Sequence, residues 1–228
     1  MPGRSNLTYL QRGIPGQIFF IFSQISFPLF IVLILLILQS WFMYQFDEDL
    51  LLSLNLQLLQ SDVNAMLDSD KDLEEVLDQI LNWIEVESKN DILTSILLYN
   101  KETNQLFTGA APSLPDRYNK VISGLHAGPV AGSCGTAAFY GKQVIVEDIE
   151  TDPLWENYKS YALPEGLHSC WSTPIFGADK DVLGTFAIYY KEPRKPTDHD
   201  LQLIDEIVDL TAAAIETREK DFEKIVGL

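Results

Sequence analysis

The amino-acid sequence predicts an α+β domain with a mostly antiparallel sheet, preceded by a single transmembrane helix and a helical stalk. Three observations support this prediction. Five strand-like segments lie between residues 91 and 190, and short turns join the first two and the last two. Amphipathic helical segments precede and follow these strands. Residues 13–46 contain no charged side chain, whereas nearly all acidic residues follow Phe46.

The uncharged segment predicts a membrane anchor. Ile18 to Leu38 form a run of 21 residues without charge, and about 20 apolar residues cross the hydrocarbon core as a helix. With flanking aromatic residues at the interface we assign the span to residues 17–44 and an N-terminal tail to residues 1–16. A cleaved secretory signal is the alternative, but the run is too long and lacks small residues at a cleavage position.

The charges that flank this span predict its orientation. Arg4 and Arg12 precede it and Asp47, Glu48 and Asp49 follow it. By the positive-inside rule, the N-terminus lies in the cytoplasm and the main domain lies outside.

Residues 45–71 predict a helical stalk with an apolar seam that continues into the domain. Steps of three and four residues separate the members of the seam, and Asp70 interrupts it. One interpretation is a continuous helix that forms a dimeric coiled coil and so a homodimer. The other is a stalk that ends near Asp68 and a second helix, from about Asp72 to Ser88, that packs on the sheet of its own domain. The seam comprises Leu52, Leu56, Leu59, Val63, Met66, Leu73, Leu77, Ile80 and Ile84.

The domain is predicted over residues 72–217, with a C-terminal helix extension over residues 218–228. Between the strands we expect a short helix after Pro115, a helix that ends at Gly141 and a helix that starts at Asp152-Pro153. One long amphipathic helix runs from Thr197 onward. The expected strands are 91–100, 105–111, 142–149, 170–177 and 182–190.

Composition excludes some functions. A net charge of −17 without a basic stripe opposes the binding of nucleic acid. Cys134 and Cys170 are too few for a disulfide scaffold and have no partners at zinc spacing, so we expect free thiols and no metal site. The sequence leaves the cofactor unknown.

Four blocks in this order resemble a GAF domain: GSCGTAA at 132–138, VIVEDIETDPLW at 144–155, CWSTPI at 170–175 and VLGTFAIYY at 182–190. The resemblance covers about residues 73–217 and is with the sensor type of bacterial kinases and cyclic-di-nucleotide signalling proteins. It implies a central antiparallel sheet with the terminal helices on one face and a ligand pocket on the other. It also implies a cytoplasmic domain, in opposition to the charge rule.

The resemblance predicts a sensory module, not an enzyme, that binds an unidentified small molecule or senses redox state. The Asn-Lys-Phe motif of cyclic-nucleotide-binding members is absent, and Trp171 follows Cys170 where bilin-binding members have His. No output domain is recognisable after the closing helix, so we expect a separate kinase or cyclase partner.

Candidate ligand-binding residues come from the segments that the resemblance places around the pocket. The first turn of a helix offers free N–H groups for an anion, and aromatic side chains offer an apolar wall. Helix capping, core packing and inert thiols are the competing interpretations. The candidates are Ser133, Cys134, Thr136, Asp148, Asp152, Trp155, Tyr158, His168, Cys170 and Trp171.

Two alternative functions stay open. Free methionine sulfoxide reductases also use a GAF fold, and Cys134 falls near one of their cysteines, although HSCWSTPI does not match the segment of the other. A purely structural role, as an adaptor or dimerisation protein, is the second alternative.

Overall fold

The computed structural model describes residues 27–88 and 92–228. The predicted tail (1–16), both arginines of the orientation argument and the first part of the predicted span lie outside the described residues. The chain divides into two compact units, Met1–Leu56 and Gln57–Leu228.

Helix α1 contains the described part of the uncharged segment. It extends over Phe27–Leu67, and the side chains of residues 31–40 are exposed. Within the described ranges, no helix is both long and apolar enough to cross a membrane.

A six-stranded antiparallel sheet in the order β3-β2-β1-β6-β5-β4 forms the centre of the second unit. Its two long central strands, β1 and β6, are neighbours although about 80 residues separate them, and their pairing runs from Ile92–Tyr190 to Leu98–Gly184. The first and the last strand of the domain therefore pair with each other at the centre of the sheet. The strands are β1 Ile92–Asn100, β2 Gln105–Ala110, β3 Leu125–His126, β4 Val144–Val146, β5 Ser169–Phe176 and β6 Val182–Tyr190.

The helices lie on both sides of this sheet. α2 and α6 pack on one face, where α2 contacts β1 and β2 and α6 contacts β5. α4 packs on the opposite face against β5 and β6. The helices after α1 are α2 Leu73–Glu87, α3 Asp116–Ile122, α4 Gly132–Tyr140, α5 Lys159–Ala162, α6 Asp198–Thr217 and α7 Glu219–Val226.

The break between α1 and α2 confirms the interpretation with two helices and excludes the continuous one. Asp72 caps α2: its carboxylate accepts from the backbone N–H of Glu75 at 3.0 Å, and the Glu75 carboxylate accepts from the N–H of Asp72 at 3.3 Å. The seam residues are therefore divided. Leu59 and Val63 on α1, and all four members on α2, are buried in the core of the chain itself and leave little of the seam for a dimer.

Two predicted helices are wrong in detail. Residues 152–163 form a 3₁₀ turn at Pro153–Trp155 and the short helix α5 instead of one continuous helix. Trp155 is buried in the core, and the hydrogen bonds of a 3₁₀ turn join backbone groups three residues apart. The closing helix is broken at Arg218, where φ is −108° and ψ is 41°. The two-residue strand β3 was not predicted.

Arg218 joins the ends of several helices at this break. Its guanidinium donates to the carbonyl oxygens of Ser69 at 2.8 Å, Lys71 at 3.0 Å and Met66 at 3.3 Å. Asp221 accepts from the N–H of Leu73 at 3.2 Å. A cation therefore meets the carbonyl end of α1 and an anion meets the N–H end of α2, which is the favourable arrangement for both helix dipoles. We call this set of contacts the Arg218 junction.

Gly184 allows the central strands to approach. A Cβ atom at this position would lie 2.3 Å from the carbonyl oxygen of Leu97. We expect Gly184→Ala to lower the free energy of unfolding by at least about 3 kcal/mol, because backbone atoms on both strands would have to move. Urea denaturation of the purified chain measures this loss.

Gly128→Ala is the matched control. A Cβ atom there would meet only the Cβ of Ala131, at 4.0 Å, so we expect a change within about 0.5 kcal/mol. Equal stabilities for the two variants would contradict the proposed close approach of β1 and β6.

Candidate functional site

The candidate site lies on the face of the sheet opposite α2 and α6. Cys170 on β5 pairs with Tyr189 on β6, and both side chains belong to the core between the sheet and α4. Side chains alternate along a strand, so Trp171 and Tyr190 point to the other face. The face of each residue is thus fixed by its position along the strand.

Ser133 fixes the first turn of α4 to this face. Its buried hydroxyl donates to the carbonyl oxygen of Cys170 at 3.0 Å and accepts from the indole N–H of Trp155 at 3.1 Å. The Ser133 hydroxyl is therefore both a donor and an acceptor of hydrogen bonds within the protein. These bonds hold Cys134, the next residue, over β5.

The two thiols interact, and they differ in acidity. A hydrogen bond from Cys170 lowers the pKa of the Cys134 thiol from 9.0 to about 7, although burial opposes this shift. The hydroxyls of Ser172, Tyr189 and Thr185 lower it further. Burial raises the pKa of Cys170 well above its ordinary range. Cys134 is therefore the thiol that ionises, and Cys170 keeps its proton.

Two buried tyrosines complete the polar surroundings of Cys134. The Tyr189 hydroxyl lies 3.8 Å from the Cys134 sulfur and 3.5 Å from the Ser95 hydroxyl. The Tyr118 ring contacts the Tyr189 ring edge-on, with centroids 5.8 Å apart. Burial raises the pKa of both tyrosines well above 10.0, so both remain hydrogen-bond donors.

A small cavity adjoins these groups. It leaves about 20 Å³ for the centre of a water-sized molecule, which is room for one or two water-sized groups. Tyr158 and Leu125 are only half-buried and form its outer side. Beyond Tyr118 lies an open cleft of about 360 Å³. The cavity is lined by Leu97, Tyr118, Ile122, Leu125, Ala131, Gly132, Ser133, Cys134, Trp155, Tyr158 and Tyr189.

The structure brings five predicted site residues together: Ser133, Cys134, Trp155 and Tyr158 line the cavity, and Cys170 lies beneath Cys134. Three others stabilise the backbone nearby. The hydroxyl of Thr136 accepts from the N–H of Ala131 at 3.1 Å. Asp148 accepts from the N–H of Glu150 at 3.0 Å, and Asp152 accepts from the N–H of Leu154 at 2.8 Å and caps the 3₁₀ turn.

Two candidates do not lie at the cavity. Trp171 is on the opposite face, where its indole N–H donates to the carbonyl oxygen of Arg194 at 3.3 Å and its ring packs against Tyr190. His168 contributes backbone bonds to Tyr190 and Ile149, and its side chain is not part of the cavity wall. Trp171 and His168 are therefore not part of the cavity wall, and a role of either residue in ligand binding stays a prediction.

Sequence reasoning missed several groups around Cys134. Ser172 lies on β5, two positions after the predicted residue Cys170. Tyr189 and Thr185 lie on β6, the strand that pairs with β5. Strand alternation from Cys170 would have found Ser172, but the pairing of β6 with β5 was needed for the other two. Tyr118 comes from a separate helix and carried no signal.

No group of three or more His, Cys, Asp or Glu side chains among the described residues could hold a metal ion. The site that these residues build is thus a thiol and hydroxyl cluster beside a small cavity.

An antiparallel sheet with terminal helices on one face and a cavity on the other defines the architecture of this α+β domain. Residues 70–216 match the model of the GAF domain family, and the chain belongs to this family.

One similar curated protein is the methyl sulfide methyltransferase-associated sensor of Methanosarcina acetivorans. It is 40% identical over 169 residues, which are 74% of this chain. The chain spans only 16% of that relative's length.

Solved structures share the fold at low identity. The GAF domain of an Acinetobacter phosphoenolpyruvate-protein phosphotransferase superposes with a TM-score of 0.54 at 15% identity, over 75% of this chain and 96% of that one. Free methionine-R-sulfoxide reductase of Neisseria meningitidis, in complex with its substrate, gives 0.57 at 15% identity, over 72% and 90%.

We expect the modification of Cys134 by a small thiol reagent to depend on pH with a midpoint at about 7. The thiolate is the reactive form, so the rate falls as the pH falls through the pKa. Peptide mass spectrometry after timed treatment with methyl methanethiosulfonate measures each cysteine separately. Cys170 is the internal control, and parallel rates for both cysteines with a midpoint near 9 would contradict the assignment of the thiolate.

Proposed function

We propose that this chain is a membrane-anchored sensory module that detects a redox change or a small molecule at the Cys134 cavity and acts through a separate signalling partner. The observation that carries the proposal is the enclosed cavity beside two interacting thiols. The Methanosarcina relative is named as a sensor, which supports the same class of function. A kinase or cyclase is the kind of partner that we propose.

The redox input is better supported than the binding of a metabolite. Pockets for drug-sized ligands measure about 300–1,000 Å³, whereas the space beside Cys134 is about 20 Å³. A metabolite would have to displace Tyr118, which separates this space from the outer cleft. A change in the thiols needs no such movement, since both thiols already belong to the same buried core cluster.

The route from cavity to output passes through β5. Cys170 lies in the core on the cavity side of the sheet, and its neighbour Trp171 faces the side on which α6 packs. α6 ends at the Arg218 junction, which also holds the ends of α1 and α2. A displacement of β5 would therefore reach the helices at both ends of the domain.

We expect the input to change hydrogen exchange at the Arg218 junction. Oxidation, or the active compound from a metabolite panel, should alter the protection of amides in residues 66–73 and 214–222 by about threefold or more, because these amides sit where the helix ends meet. Hydrogen-exchange mass spectrometry of the full chain measures this effect.

Arg218→Lys provides the control. It keeps the charge but not the forked donor geometry, so the junction should be less protected before treatment and respond less to it. Sensing would be refuted if neither oxidation nor any compound changed exchange or melting temperature in the wild-type chain.

The membrane anchor is part of the proposal. Residues 18–38 are uncharged, and the described aliphatic side chains from Ile31 to Leu38 are exposed. Apolar surface of this extent is stabilised by lipid. The family resemblance favours a cytoplasmic domain, although the flanking arginines argue for the opposite side.

We expect the full chain to float with lipid vesicles in a density gradient, and a chain that begins at Asp47 to stay at the bottom, because only the first carries the apolar segment. Leu35→Asp together with Leu36→Asp should abolish flotation, since charges at mid-helix cost about 2.5–3.5 kcal/mol each. Leu50→Asp, outside residues 18–38, is the matched control. Flotation of the chain from Asp47 would contradict the anchor, and protease protection in sealed vesicles would give the side.

Two other roles are compatible with parts of the structure. A homodimer could use the exposed leucines 50, 51, 54 and 58 of α1. A methionine sulfoxide reductase activity is favoured by the shared fold and the acidic Cys134 thiol. Free methionine sulfoxide is larger than the cavity, so we place this activity second. Turnover of free methionine sulfoxide that is lost in Cys134→Ser would reverse that order.

A further inference from the structure

We propose that Cys134 and Cys170 form a two-thiol switch that is oxidised by hydrogen peroxide, or by another oxidant of that size, and that the cavity excludes bulkier hydroperoxides. The inference rests on the proposed sensory function, for which it names the input.

The first argument is the division of roles between the two thiols. A redox-sensing cysteine is acidic and has a resolving cysteine beside it. Cys134 lines the cavity and Cys170 does not. An oxidant in the cavity therefore meets the Cys134 sulfur first, and Cys170 is placed behind it.

The second argument is a pair of buried hydroxyls without partners. The hydroxyl oxygens of Ser172 and Thr185 are fully buried and have no hydrogen-bond partner among the described residues. An unpaired polar group in the interior is unfavourable because it has lost its hydrogen bonds to water. Both lie on the face of the sheet that carries Cys170 and Tyr189, because each is an even number of residues from one of them along its strand. A negative charge on the Cys134 sulfur would give both hydroxyls an acceptor. Together with the Tyr189 hydroxyl they form a set of donors around one sulfur atom.

The third argument is size. Hydrogen peroxide has two non-hydrogen atoms, both oxygen, and the cavity holds one or two water-sized groups. A tert-butyl group adds four carbon atoms and does not fit between the walls. The half-buried ring of Tyr158 lies at the outer side, where an oxidant enters.

The chemistry balances without a further reactant. The Cys134 thiolate attacks one oxygen of hydrogen peroxide, the O–O bond breaks and hydroxide leaves, so that Cys134 becomes a sulfenic acid. The Cys170 thiol then loses its proton and attacks the Cys134 sulfur, the S–O bond breaks and a second hydroxide leaves. In total two thiols and one hydrogen peroxide give one disulfide and two waters, and the thiols lose two electrons to the peroxide.

The reduced full-length chain in detergent micelles tests the proposal. Equal concentrations of hydrogen peroxide and tert-butyl hydroperoxide are added, and intact mass spectrometry follows the loss of two hydrogen atoms. The same chain unfolded in urea gives the intrinsic ratio of the two rates. After this correction we expect the folded chain to prefer hydrogen peroxide by at least about tenfold, since oxidation follows access to the thiolate.

Variants separate access from chemistry. Tyr158→Ala opens the outer side and should reduce the preference, whereas Tyr161→Ala removes a half-exposed ring outside the cavity wall and should preserve it. Cys170→Ala removes the resolving thiol, so a sulfenic acid should persist on Cys134 and react with dimedone.

Three outcomes would overturn the proposal or its basis. Equal corrected rates for both peroxides in the wild-type chain would refute selection by size. The absence of both disulfide and sulfenic acid would refute peroxide as the input, while a response of the Arg218 junction to a metabolite would preserve the sensory function. Disulfide formation without altered exchange at that junction would instead refute the sensory function and leave the thiol chemistry intact.

Discussion

The hydroxyl of Ser133 is the contact on which the geometry of the site depends. It receives the indole N–H of Trp155 and donates to the backbone of Cys170, so it links a loop turn, the start of α4 and the strand β5. All three groups are buried, and a lost bond would leave an unpaired polar group in the core. The position of Cys134 over Cys170 follows from this link.

The sheet separates the chemistry of the site from the helices that would transmit its state. Thiols and hydroxyls occupy one face, and the apolar faces of α2 and α6 cover the other. Neighbouring residues of a strand face opposite sides. Cys170 therefore lies on the face of the thiols and hydroxyls, and Trp171, the next residue, lies on the face that α2 and α6 cover. A sheet built this way is suited to couple a small chemical change to the packing of long helices.

The Arg218 junction explains why the closing helix is broken and not continuous. A continuous helix would carry Arg218 on its regular spiral, whereas the break lets the guanidinium reach the carbonyls of Met66, Ser69 and Lys71. Three charge-assisted bonds are gained where one helical turn is disturbed. The incoming and outgoing helices of the domain thus share one residue.

The sequence by itself determined the fold class and most strands, because alternation and turn residues are local signals. It left the break near Asp70 as one of two interpretations. Its family blocks also contain Ser133, Cys134 and Trp155, which line the cavity. Only the tertiary structure decided the rest. Trp171 was a candidate pocket residue and Tyr189 was not, yet the register of β5 against β6 places Tyr189 on the cavity face and Trp171 on the opposite face. The acidity of Cys134 depends on Ser172, Thr185 and Tyr189, which converge through strand pairing between segments far apart in the chain, and no local pattern records such a convergence.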